Sequence, residues 1–178
     1  MLSGALCHAG EKSTLVVNLE AGRPQTVVTY GTSLTSGGAW VSQLQAALAS
    51  RYPGKAQVIN SGQGAMWSTW GVENLDERVI AKKPDTVFIE FAVNDAYLAY
   101  ATSVEKARSN LETMIDRILA ANPECDIVLM VMNPPIGIHL EHRPRILDYN
   151  QMYRNVAEER QLLLIDHYAA WERILKDD

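Results

Sequence analysis

Residues 27–40, VVTYGTSLTSGGAW, pass from β-branched and aromatic residues into a turn of glycines and hydroxyl side chains, and from there into helix-forming sequence. The apolar positions before the turn follow one another instead of alternating, which marks a strand covered on both faces. A strand–turn–helix junction is where α/β proteins carry phosphate loops and serine nucleophiles. Ser33 occupies that junction. Taken alone, GTSLTSGG fits a turn or helix cap as well as a nucleophile, and it lacks the lysine that a GxxxxGK[ST] phosphate loop requires.

The strand pattern of TVVTY (26–30) recurs in QVIN (57–60), TVFIEF (86–91), DIVLMVM (126–132) and LLLID (162–166), all read as buried strands. Amphipathic segments lie between them. Trp40, Val41, Leu44 and Leu48 share a face in 39–51, ended by YPG, and Val72, Leu75 and Val79 do so in 69–81. Val104, Ala107, Leu111, Met114 and Ile118 form a stripe in 103–121, where Thr102 and Glu105 have capping-box spacing. Pro144 suits the opening of a further helix that runs through Tyr153 and Val156. Repeated β-α alternation predicts a parallel sheet with helices on both faces, an α/β fold of about five strands. TLVVNL (14–19) reads as an edge strand or hairpin arm, with AGRP as its turn. The organisation is then an N-terminal segment, 1–25, and one domain, 26–178.

A chain of 178 residues can bury a core without disulfides or metals. The net charge of −5 gives no basis for nucleic acid or an anionic membrane as partner. Cys7 and Cys125 stand in no metal-ligand spacing and read as unpaired thiols. No apolar run approaches the ~18 residues of a transmembrane helix. MLSGALCHAGEK lacks the basic start and full apolar stretch of an intact signal peptide, so it reads as a flexible terminus or as the tail of a leader already removed. The second of these leans toward export. Oligomeric state is not legible.

Parallel sheets bind ligands beyond the carboxyl ends of their strands, so the loops there carry the functional signal. NSGQGA follows its strand with Gly62 and Gly64, and AVND puts Asn94 and Asp95 directly after the most apolar strand. A serine hydroxyl, a glycine N–H and an asparagine amide from three loops are the parts of a nucleophile with an oxyanion hole.

In these blocks the sequence resembles the SGNH (GDSL-type) serine esterases. GTSL matches the family's Gly-Asp-Ser-Leu, NSG its Asn-x-Gly turn and AVND its Gly-x-Asn-Asp, in order, from about residue 26 to the end. The resemblance implies a flavodoxin-like three-layer α/β/α sandwich and hydrolysis of small acyl or acetyl esters, with carbohydrate esters among the substrates to consider. It makes Ser33 the nucleophile, with the N–H of Ser33, the N–H of Gly62 and the side chain of Asn94 on the oxyanion. It calls for neither metal nor organic cofactor, and for a small-molecule ester as partner. Thr32 and Ala92 depart from the family's aspartate and glycine. Trp67 and Trp70 are candidates for lining an acyl or sugar pocket, and Trp70 reads equally well as a core residue.

The family's general base comes from an Asp-x-x-His block, and this chain has none. Its histidines are His8, His139, His142 and His167. HLEH (139–142) has i, i+3 spacing but no further metal ligands beside it and reads as a solvated loop. Asp166 adjoins His167, and neighbours in an extended segment point to opposite faces, so they make a poor base unit. The expectation is a chain truncated before that block. Two other readings stay open: a flavin-binding protein using GTSLTSGG for phosphate, and a non-catalytic relative that only binds its ligand.

Overall fold

A computed structural model describes residues 13–177. Five parallel strands stand in the order β2-β1-β3-β4-β5. They are β1 (Gln25–Gly31), β2 (Ala56–Asn60), β3 (Thr86–Glu90), β4 (Asp126–Val131) and β5 (Leu163–Asp166). The order reverses between β1 and β3, which leaves a crevice beyond their carboxyl ends. Register sets the two strand ends level, with Gly31 beside Glu90.

Alternate residues of the central strands enter two separate cores. Val28, Tyr30, Val87, Ile89, Ile127 and Leu129 face one side. There they meet α5 (Leu75–Arg78), α7 (Val104–Ala121) and α9 (Ile146–Glu159) through residues such as Leu75, Leu111, Ile115 and Tyr153. Val27, Phe88, Val128 and Met130 face the other side, against Leu48 of α3 (Ala39–Arg51). Covering both faces is why these strands read as continuous apolar runs.

Four expectations need correction. TLVVNL is a helix, α1 (Thr14–Glu20), capped by Ser13, whose Oγ accepts the Val16 N–H at 3.3 Å. Its Leu15 and Leu19 lie one turn apart and both enter the second core. LLLID is not buried on both faces: Leu162 and Leu164 pack against the first core, while Leu163 is 39 % and Ile165 37 % exposed on the other side of the edge strand. The helix expected over 69–81 is broken into α4 (Ser68–Glu73), α5 and a short 3₁₀ turn. At the break the Gly71 carbonyl accepts the Tyr30 hydroxyl at 2.8 Å and the Val72 carbonyl accepts Arg117 Nη1 at 2.8 Å, while the Trp70 carbonyl keeps its bond from the Asn74 N–H at 3.0 Å. The cap of α7 is Ser103 instead of Thr102, its hydroxyl accepting the Lys106 N–H at 3.1 Å. Among the described residues no helix is long and apolar enough to cross a membrane.

Candidate active site

The turn after β1 is one turn of helix, α2 (Ser33–Ser36). Its cap is Thr32, whose hydroxyl accepts the Leu34 N–H at 3.2 Å, so Ser33 is the first helical residue and is exposed. Beneath it lies a carboxylate that sequence reasoning passed over. Glu90, at the end of β3, is 1 % exposed. It accepts the Thr32 N–H at 2.7 Å and the Thr32 and Thr35 hydroxyls at 3.0 and 2.6 Å. Burial, reinforced by the charge of Asp95, raises its pKa to about 7, against the pull of those hydrogen bonds. Gly31 leaves room for this carboxylate, since a Cβ there would stand 2.3 Å from Glu90 Oε1. A lone glutamate in an otherwise apolar strand was the signal available in TVFIEF.

The second loop docks onto the first. Asn60 Nδ2 donates to the Thr35 carbonyl at 3.0 Å, and Gln63 N–H reaches the Gly31 carbonyl at 2.9 Å. A Cβ on Gly62 would meet Ser36 N at 2.6 Å, so close approach of the two loops demands glycine there. Its N–H donates to Asn60 Oδ1 at 3.0 Å, closing a local turn. The third loop is also helical, α6 (Ala92–Asp95). Its two polar residues part company. Asp95 turns inward, 2 % exposed, and accepts the Ser68 N–H at 2.9 Å, which ties down the start of α4. Burial lifts its pKa to about 6. Asn94 is 7 % exposed and lies on a cleft of about 290 Å³ shared with Ser33.

The walls of that cleft are mainly apolar, from Leu34, Val93, Pro134, Pro135 and Ile136, with His139 and Arg143 beside them. Gly62 is not among the lining residues, although Gly64 packs toward the Ser33 Cβ. Arg143 is a second residue that the sequence reading missed; nothing in its neighbourhood of the chain marks it. Of the described histidines, His139 alone lines the cleft. It belongs to α8 (Ile138–Glu141). The His142 ring lies 5.5 Å from Tyr97. His167 opens α10 (His167–Asp177), and Asp166 is held by Arg154 Nε at 2.7 Å and by the Tyr168 N–H at 3.1 Å, away from duty toward an imidazole. His8 and Cys7 lie outside the described residues.

Trp67 and Trp70 do not line this cleft. Trp67 stacks on Tyr100 at 4.5 Å, and Trp70 packs against the first core beside Tyr30. No group of three or more His, Cys, Asp or Glu among the described residues could hold a metal. The hydroxyls of Thr32 and Thr35 point down at Glu90, which puts a carboxylate where a flavin phosphate loop would need positive potential. Cys125 is a free, buried thiol whose pKa burial raises to about 12.

Comparison with known proteins finds relatives of the same fold. A lipase/acylhydrolase from Enterococcus faecalis is similar at 28% identity with a TM-score of 0.73, over 82% of this chain and 77% of that one. A catalytic mutant of the acetylxylan esterase Axe2 from Geobacillus stearothermophilus shares the fold at 23% identity and a TM-score of 0.73, covering 86% of this chain and 81% of that one. TesA shares it at 24% identity and a TM-score of 0.65, over 79% and 77%. No curated protein matches the sequence. Residues 28–178 match the GDSL-like Lipase/Acylhydrolase family. With three polar loops meeting at the sheet's switch point and that match across most of its length, the chain belongs to the GDSL-like lipase/acylhydrolases and is a carboxylic ester hydrolase.

Proposed function

We propose that the chain hydrolyses small acyl esters through a serine mechanism in which Ser33 is the nucleophile. The observation that carries this reading is the single cleft on which exposed Ser33 and the Asn94 amide meet. Ser33 Oγ attacks the ester carbonyl carbon as its proton passes to a base, and the carbonyl electron pair moves onto oxygen. The resulting oxyanion takes a hydrogen bond from Asn94 Nδ2 and from the Ser33 N–H, which lies in the first turn of α2 and has no intrahelical acceptor. To serve as the third donor that the family resemblance implies, the Gly62 N–H has to exchange its bond to Asn60 Oδ1 for one to the oxyanion. Collapse breaks the ester C–O bond and releases the alcohol with the proton. Water then repeats the sequence on the acyl-serine and frees the acid.

His139 is the base to test first, because it lines the same cleft. The confined volume and proline-rich wall suit a short acyl group. Acetylated carbohydrate is the first substrate class to try, given the acetylxylan esterase among the structural relatives. Hydrolysis of p-nitrophenyl acetate is compared among the protein, Ser33→Ala, Asn94→Ala and His139→Ala. Ser33→Ala is expected to fall to the buffer rate, and Asn94→Ala to lose about 10²–10³-fold in kcat. A folded Ser33→Ala variant with unchanged turnover sinks the serine reading. Retained turnover in His139→Ala moves the base elsewhere.

A further inference from the structure

Among the described residues, Arg143 is the one Lys, Arg, Asp or Glu that lines the cleft. It is partly buried, yet no carboxylate pairs with it among the described residues, whereas Arg108, Arg117, Arg145, Arg154 and Arg160 each have one. Its donors go to the site instead. Nε donates to the Val93 carbonyl at 2.6 Å, Nη1 to the His139 carbonyl at 3.1 Å and Nη2 to Asn94 Oδ1 at 3.4 Å. Tyr97 supports the guanidinium carbon from 5.0 Å. A planar fork that spans a backbone carbonyl and a side-chain amide can hold both in one relative geometry, which a lysine cannot do.

The amide of Asn94 has two N–H donors and one carbonyl acceptor. One Nδ2 hydrogen goes to the Met66 carbonyl at 2.8 Å, and Oδ1 accepts from Arg143. Exchanging the amide's O and N would set oxygen against the Met66 carbonyl and nitrogen against the guanidinium, a mismatch at both ends. Met66 and Arg143 together therefore fix the sense of the amide, and one N–H is left uncommitted on the residue that shares the cleft with Ser33.

We propose that Arg143 is a positioning residue: it locks Asn94 with that N–H available to the oxyanion and, through the amide, adds positive polarisation to the donor. The inference rests on the serine reading above.

The test is a double-mutant cycle on p-nitrophenyl acetate, run beside ¹⁵N spectra of the Asn94 side-chain amide. Arg143→Ala is expected to lower kcat about 10- to 100-fold, within the range of losing an oxyanion donor, with KM changed less than about threefold. Arg143→Lys should fall between Arg143→Ala and the unmodified protein. In an Asn94→Ala background, Arg143→Ala should cost under about threefold more, because its effect runs through the amide. The Asn94 amide resonances should shift in Arg143→Ala while those of distant asparagines stay in place. Fully multiplicative losses overturn the proposal. So does a KM rise confined to carboxylate-bearing esters with kcat on the neutral ester intact, which would make Arg143 a binder of substrate anions. Absence of Ser33-dependent turnover counts against the serine reading alone; the amide spectra then decide the Arg143 contact, and unchanged Asn94 resonances reject it.

Discussion

Glu90 is buried under the Ser33 turn and receives hydrogen bonds from both Thr32 and Thr35, so its ionisation is coupled to the shape of that turn. Its pKa of about 7 lies above the usual 4.5, and that of Asp95, about 6, above 3.8. For such groups the unfolded chain releases its proton first. Stability is therefore fully present below the unfolded values and is lost as pH rises through about 6 to 7. For Glu90 the gap is worth roughly 3 kcal/mol at ~1.4 kcal/mol per tenfold. The exposed carboxylates of Glu105 and Glu159, held low by hydrogen bonds, act in the opposite direction and lose their contribution as pH falls below the usual range. Urea midpoints should be higher near pH 5 than at pH 8, and Glu90→Gln should flatten the fall between about pH 4.5 and 7. An unchanged slope in that variant would remove Glu90 as its source. Arg143 was not legible by pattern, and Glu90 was marked only as a lone glutamate in an apolar strand. Ser33, Gly62 and Asn94 stand in short blocks at strand ends, whereas Glu90 sits inside an apolar run and Arg143 in a polar loop.

Two elements ran against their apolar spacing, α1 and the broken helix over 69–81. Residues 14–19 carry two consecutive valines and suit either a strand or a helix. A strand would bury Leu15, Val17 and Leu19 on one face. The helix buries Leu15 and Leu19 and leaves Val17 45% exposed. Ser13 as a cap and the i, i+4 leucines were the deciding signals. Leu19→Ala should cost about 2–4 kcal/mol in urea denaturation, and Val17→Lys should stay within about 0.5 kcal/mol. A large loss for Val17→Lys would contradict the helix. The split of 69–81 has a tertiary origin: apolar spacing called for one helix, and Tyr30 and Arg117, from distant segments, donate to the Gly71 and Val72 carbonyls at the break.

Across the whole molecule, the sheet is covered unevenly. Leu129 in β4 is fully buried under α7 and α9, while Leu163 on the edge strand faces outward. Leu129→Ala should cost about 2–5 kcal/mol and Leu163→Ala under about 1 kcal/mol, measured by the same denaturation. Similar losses at the two sites would mean that Leu163 is covered in solution. Five parallel strands, helices on both faces and three polar loops at one edge followed from the sequence by itself, because continuous apolar runs and turn chemistry are local properties of the chain. Tertiary structure alone decided which hydroxyls meet a buried carboxylate, which amide is pinned by an arginine 49 residues away, and which strand is left with an open face. Those outcomes depend on which distant segments become neighbours. Strand order and register set that, and no single stretch of sequence encodes it.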